Sequence, residues 1–296
     1  MDHDRLFKQL LTTFFVEFIE LFLPELSAHL QRDSVEFLDK EVFTDLTGGE
    51  RHEVDLLAKA RLKETEAFFL IHVENQATRQ PEFGQRMFRY FARLHEKFNL
   101  PVYPVALLSY DAPRSSERDH YEVKFPDRRV LSFRYRVIQL NRMNWRDFLR
   151  EPNPVAAALM TKMNIAPADR PGLKLECLRM IVTLKLDLAR SALISEFMQS
   201  YLRLSADQAI AYNKQLNALP AKEKRTVVQM VGTLSADGFR KMAAMQLEHR
   251  FGRLPQKTRM AIERVPEQWT GELMIALLDF KKISDADNWM EQHKGE

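Results

Sequence analysis

Between Arg5 and Leu23 the apolar positions Leu6, Leu10, Phe14, Phe18, Leu21 and Phe22 recur at intervals of three and four. That spacing predicts an amphipathic helix, which Pro24 stops. A short strand is expected from Asp39 to the Gly48-Gly49 turn. Two runs of strand type follow, Glu53–Arg61 and Glu66–Gln76, and they flank the charged turn Leu62–Glu66 as a hairpin would. A second helix spans about Glu82 to Asn99, with the apolar stripe Phe83, Met87, Phe91, Leu94 and Phe98. The continuous apolar run from Pro101 to Asp111 predicts a buried strand. The alternating run from Val130 to Leu140 predicts a half-exposed one. The order helix, strand, hairpin, helix, strand, strand makes the first 140 residues an α/β unit.

Beyond Trp145 strand signals stop. Pro152 and Pro154, then Pro167 to Pro171, punctuate a series of helical segments: Leu173 to Ser200, Ser205 to Leu219, Pro220 to Leu234, Gly238 to Phe251, Gln256 to Arg264 and Glu267 to Lys281. Ser205-Ala-Asp-Gln208 has the capping-box pattern of a helix start. The expected division is therefore an α/β domain over residues 1–150 and an all-α domain over 151–296.

The hairpin carries the candidate chemistry. A turn centred on Glu64 and Thr65 makes the residue numbers of paired positions sum to about 129, which sets Asp55 opposite Glu74. Alternation sends Phe68, Leu70, His72, Glu74 and Gln76 to one face of the second strand. Two carboxylates at one strand end repel unless a proton, a cation or a metal is shared between them, and oxygen ligands alone suit Mg²⁺ or Mn²⁺. A solvated strand end is the plain alternative. Glu17 and Glu20, one turn apart on the first helix, could reach such an ion, or could form a solvated helix face. Arg86, Arg89, Arg93 and Lys97 fall within about 80° of arc on the second helix. They make a basic rim that suits a phosphate backbone, or an ordinary solvated flank.

The net charge of +3 hides an asymmetry: 20 Lys and Arg against 23 Asp and Glu over residues 1–140, and 24 against 18 over residues 141–296. That surplus is too diffuse to define a partner. Cys177 is the sole cysteine, which excludes an internal disulfide, and its apolar surroundings fit a small buried hydrophobe. No segment approaches the ~20 apolar residues of a membrane span, and Asp2, Asp4 and Arg5 do not fit a signal peptide. A cytoplasmic protein is expected.

His3-Asp4-Arg5-Leu6-Phe7-Lys8, Asp55 and Glu74-Asn75-Gln76 together resemble the motifs of the PD-(D/E)XK nuclease superfamily, and within it the transposase-like, recombination-promoting nucleases. The resemblance covers roughly residues 1–145. Arg250 to Trp289 looks like a small helical module, at about 245–291, often appended to these proteins. The resemblance implies a restriction-endonuclease-like αβββαβ core sheet flanked by helices. It also implies a Mg²⁺- or Mn²⁺-dependent endonuclease acting on DNA. Asp55 and Glu74 would hold the metal, Gln76 would join them, and Glu17 or Glu20 would assist. The superfamily usually has lysine where this chain has Gln76, and glutamine carries no positive charge to a transition state. That charge falls to Lys8 or to the Arg86 stripe. The alternative is an inactive descendant that binds DNA or protein without turnover; self-association is left open.

Overall fold

The computed structural model describes residues 3–38, 56–63, 68–79, 82–277 and 279–293. The expected strand at Asp39–Gly49, the hairpin turn at Glu64 and Thr65, and Asp55 lie outside them. The chain forms two compact units, one of residues 1–148 and 162–165 and the other of residues 149–161 and 166–296.

The first unit opens with α1 (His3–Thr13), α2 (Phe15–Phe22) and α3 (Pro24–His29). The single helix expected over Arg5–Leu23 is thus interrupted at Phe14, where φ is −124° and ψ is 39°. Thr12-Thr13-Phe14-Phe15-Val16 is a run of β-branched and aromatic residues with poor helix propensity. Bonds from Phe14 N to Leu10 O and from Phe18 N to Phe14 O carry the ladder across the break. The strands are β1 (Leu30–Phe37), β2 (Leu56–Leu62), β3 (Phe68–Gln76), β4 (Val102–Leu108), β5 (His120–Lys124), β6 (Arg129–Arg134) and β7 (Arg136–Gln139), with α4 (Phe83–Phe98) between β3 and β4. β1 occupies a segment that reads in sequence as a loop. Only Leu30 of its eight residues is fully buried, so it lacks the alternation that marks a half-buried strand.

Five strands form a mixed sheet in the order β1-β2-β3-β4-β7. β1, β2 and β3 are successively antiparallel, whereas β3, β4 and β7 run parallel. A parallel neighbour needs a crossover, and α4 supplies it between β3 and β4. In the β2–β3 ladder Leu56 pairs with Val73 and Leu57 with His72, so the numbers sum to 129 as the turn position requires. The run Val130–Leu140 divides at Tyr135. Its first part pairs with β5 as a separate two-stranded ribbon, and its second joins the main sheet beside β4.

α4 packs one face of the sheet, with Leu57, Leu70, Tyr90 and Leu94 in one cluster and Met87, Ala106 and Leu108 in another. Ala58, Ile71, Val73, Val105 and Leu107, which alternate onto the other face, are also fully buried, and α1 packs against β2. A strand buried on both faces loses polar alternation, which is why β3 and β4 read as apolar runs.

The second unit is helical: α5 (Pro154–Leu159), α6 (Arg170–Leu184), α7 (Leu188–Tyr201), α8 (Ala206–Asn217), α9 (Ala221–Thr233), α10 (Ala236–Phe251), α11 (Gln256–Glu263), α12 (Glu267–Ala276) and α13 (Ile283–Gln292). The expected helix Leu173–Ser200 is two helices, because Lys185 turns into the left-handed region at φ 50° and Asp187 caps the next helix through the Arg190 N–H at 2.9 Å. The Ser205 capping box is formed, with Gln208 reciprocating. Among the described residues no helix is long and apolar enough to cross a membrane.

Candidate metal and phosphate site

In open α/β sheets the carboxyl ends of parallel strands form the usual ligand crevice. β3 and β4 end side by side here, with Glu74 paired to Ala106 and Gln76 to Leu108. Ser109 ties the two ends together, its backbone N–H and its Oγ both donating to Gln76 O, at 2.9 and 3.2 Å.

Glu74 is only 3 % exposed, an unusual state for a carboxylate, which must be paired or hydrogen-bonded when buried. Its partner is His72, two residues earlier on the same strand face, whose Nε2 lies 3.1 Å from Glu74 Oε1. The imidazole is fully buried and meets the Tyr90 ring edge-on, with centroids 5.5 Å apart. Donation to a carboxylate places the ring proton on Nε2. Among the described residues Nδ1 has no partner. The result is a carboxylate held in place by the histidine ring. The sequence reading places His72 on the face of Glu74 but assigns it no role; its signal was a polar ring at i−2 within an otherwise apolar run.

Gln76 is buried as well. Its Nε2 donates to Asn75 O at 3.0 Å, and among the described residues its Oε1 has no hydrogen-bond partner. Buried acceptors are nearly always satisfied, so an orphaned amide oxygen two residues beyond a buried carboxylate suits a hard cation. Among the described residues, however, no three His, Cys, Asp or Glu side chains converge on one point. Asp55, the other carboxylate of the expected pair, is outside the described residues.

The remaining candidates are dispersed over the elements. Lys8 is half-buried on α1 and Glu17 half-buried in the first turn of α2. Glu20 forms an ion pair with Arg32 of β1, which commits its carboxylate to a structural contact. The stripe on α4 is not uniform. Arg89 and Lys97 are exposed and Arg93 is half-buried. Arg86 turns inward, with Nε and Nη2 buried and its guanidinium 5.2 Å from the centre of the Phe83 ring.

Compared with family models, curated proteins and solved structures, the chain matches none.

Proposed function

We propose that the first unit is a metal-dependent DNA endonuclease of the PD-(D/E)XK type, with Glu74 as its strand-end carboxylate. The observation that carries this reading is the burial of Glu74 at the carboxyl end of β3, aimed by His72 and followed by Gln76 Oε1, which has no partner among the described residues. It is supported further by the order of elements, three antiparallel strands followed by a helix and a parallel strand, which suits an αβββαβ core.

Glu74, Gln76 Oε1 and Asp55 are the oxygen donors that would hold Mg²⁺ or Mn²⁺, and such an ion polarises a phosphoryl oxygen and lowers the pKa of an attacking water. The chain's own groups do the rest. His72 keeps the Glu74 carboxylate in one orientation, so little conformational freedom is lost when the site is occupied. The Gln76 amide nitrogen is taken up by Asn75 O, which leaves the amide oxygen as the group to offer a cation. Cationic help for a developing negative charge falls to Lys8 or to Arg89 and Arg93 of α4, since Gln76 has none to give.

Gln76 also favours a second reading: a DNA-binding unit that keeps the fold and has lost turnover. Nicking of supercoiled plasmid in Mg²⁺ and in EDTA separates the two. Mg²⁺-dependent nicking is expected; DNA binding without nicking at any Mg²⁺ or Mn²⁺ concentration favours the second.

A further inference from the structure

β7 is an edge strand of the main sheet, and a second basic surface gathers along it. Arg134 ends β6, Arg136 begins β7 and Arg142 follows β7 by three residues; all three are exposed and line one open cleft of about 710 Å³. Among the described residues, none of the three guanidinium groups makes a side-chain hydrogen bond or a close ion pair. Two carboxylates share the cleft; Glu117 is engaged from outside it, and Asp119 is engaged by His120 from outside and by the charge of Arg134 within. Glu117 pairs with Arg79 at 2.7 Å, and Asp119 accepts from His120 Nδ1 at 2.9 Å. Three guanidinium groups stand against two carboxylates, which leaves the cleft with a positive surplus.

The walls of the cleft are fixed by buried amides. Gln139 Nε2 donates to Ser115 O at 2.9 Å, Gln139 Oε1 accepts from the Glu117 N–H at 3.2 Å, and Asn141 Nδ2 donates to Pro113 O at 2.9 Å. On the other side Tyr135 OH donates to Arg118 O at 2.8 Å. A concave surface held by its own hydrogen bonds pays little ordering entropy on binding. Its free guanidinium forks match the geometry of phosphate oxygens.

We propose that this cleft grips the phosphodiester backbone of a polynucleotide through Arg134, Arg136 and Arg142. The identity of the ligand rests on the nuclease reading; the geometry of the grip does not. Charged side chains on an edge strand also block strand-to-strand association, so the competing role for these arginines is protection of the β7 edge.

The test uses the full chain and a fluorescein-labelled 20-base-pair duplex, followed by anisotropy in EDTA from 50 to 300 mM NaCl. Each phosphate contact contributes about 0.9 to the slope of log K against log salt on duplex DNA. The triple variant Arg134→Gln, Arg136→Gln, Arg142→Gln is expected to lower that slope by about 2 to 3, with an unchanged circular-dichroism spectrum. An unchanged slope overturns the inference and leaves the arginines as edge protection. If Glu74-dependent nicking persists with that unchanged slope, only the cleft assignment fails. A wild type that neither binds nor nicks DNA overturns both. Loss of binding to polyglutamate in the triple variant, with the DNA slope intact, assigns the cleft to an acidic protein segment and also overturns the inference.

Discussion

His72 Nε2 donates to Glu74 Oε1 across 3.1 Å, inside a strand end where neither residue is more than 3 % exposed. The pair closes a chain of dependence that starts with Tyr90 of α4 against the imidazole and ends at the carboxylate. Replacing the histidine therefore acts on Glu74. His72→Phe preserves bulk and the aromatic contact but strips the carboxylate of its donor, at a cost of roughly 1–3 kcal/mol. Metal affinity is expected to drop about 10- to 100-fold, as it does when an orienting partner is lost. Urea denaturation and Mn²⁺ titration measure the two effects. Wild-type values for both would show that Glu74 does not depend on His72.

The α4 arginines are expected to separate. Arg86→Gln removes a guanidinium whose Nε and Nη2 are buried and which sits over Phe83, so thermal stability falls, with roughly 0.5–1 kcal/mol from the ring contact alone. Arg89→Gln, at an exposed position, and Arg93→Gln, at a half-buried one, are expected to cost less stability than Arg86→Gln. If all three variants melt alike, the stripe is one solvated surface.

Much of this architecture was legible in the chain. The position of the charged turn in the sequence predicts the observed β2–β3 register, and a slip of one residue would turn Leu57 and Leu70 away from α4. The 3.6-residue period located α4, and the Ser205 box marked the start of α8. What escaped depended on tertiary context. β1 is a polar edge strand with only Leu30 fully buried, so periodicity carried no signal. The alternation from Val130 to Leu140 showed extended chain but could not show that Tyr135 divides it between two sheets. At the site, the shared face of Glu74 and Gln76 followed from period two, whereas the Glu20–Arg32 pair and the inward turn of Arg86 depend on packing partners remote in sequence or hidden from a helical wheel.

Cys177 offers a pH-dependent test of the helical unit. Burial pushes its thiol up from an ordinary 9.0 to about 12. A raised folded-state pKa adds stability below about 9 that drains away as pH rises toward about 12. The native protein is therefore expected to resist Ellman's reagent at pH 8 until denaturant exposes the residue. Stoichiometric reaction at pH 8 without denaturant would contradict the buried placement.

The unit boundary is interleaved. Residues 162–165 belong to the first unit: Asn164 N donates to Met143 O at 2.9 Å, and Lys162 Nζ pairs with Asp111 at 2.7 Å. A fragment of residues 1–150 lacks these contacts and is expected to unfold several degrees below the same unit in the full chain. The shift can be followed by fluorescence of the buried Trp145, the fragment's sole tryptophan. Equal melting temperatures would show that 162–165 adds nothing to the first unit.

The site itself is tested most directly by single-turnover nicking of supercoiled plasmid in Mg²⁺ by wild type, Asp55→Asn, Glu74→Gln and Gln76→Lys, with Mn²⁺ binding measured on the same samples. Loss of both cleavage and Mn²⁺ binding is expected for Asp55→Asn and Glu74→Gln. Gln76→Lys is expected to keep or raise cleavage, because it restores a cation beside the carboxylate. Nicking by Glu74→Gln at the wild-type rate would contradict the assignment of this strand end as the catalytic metal site.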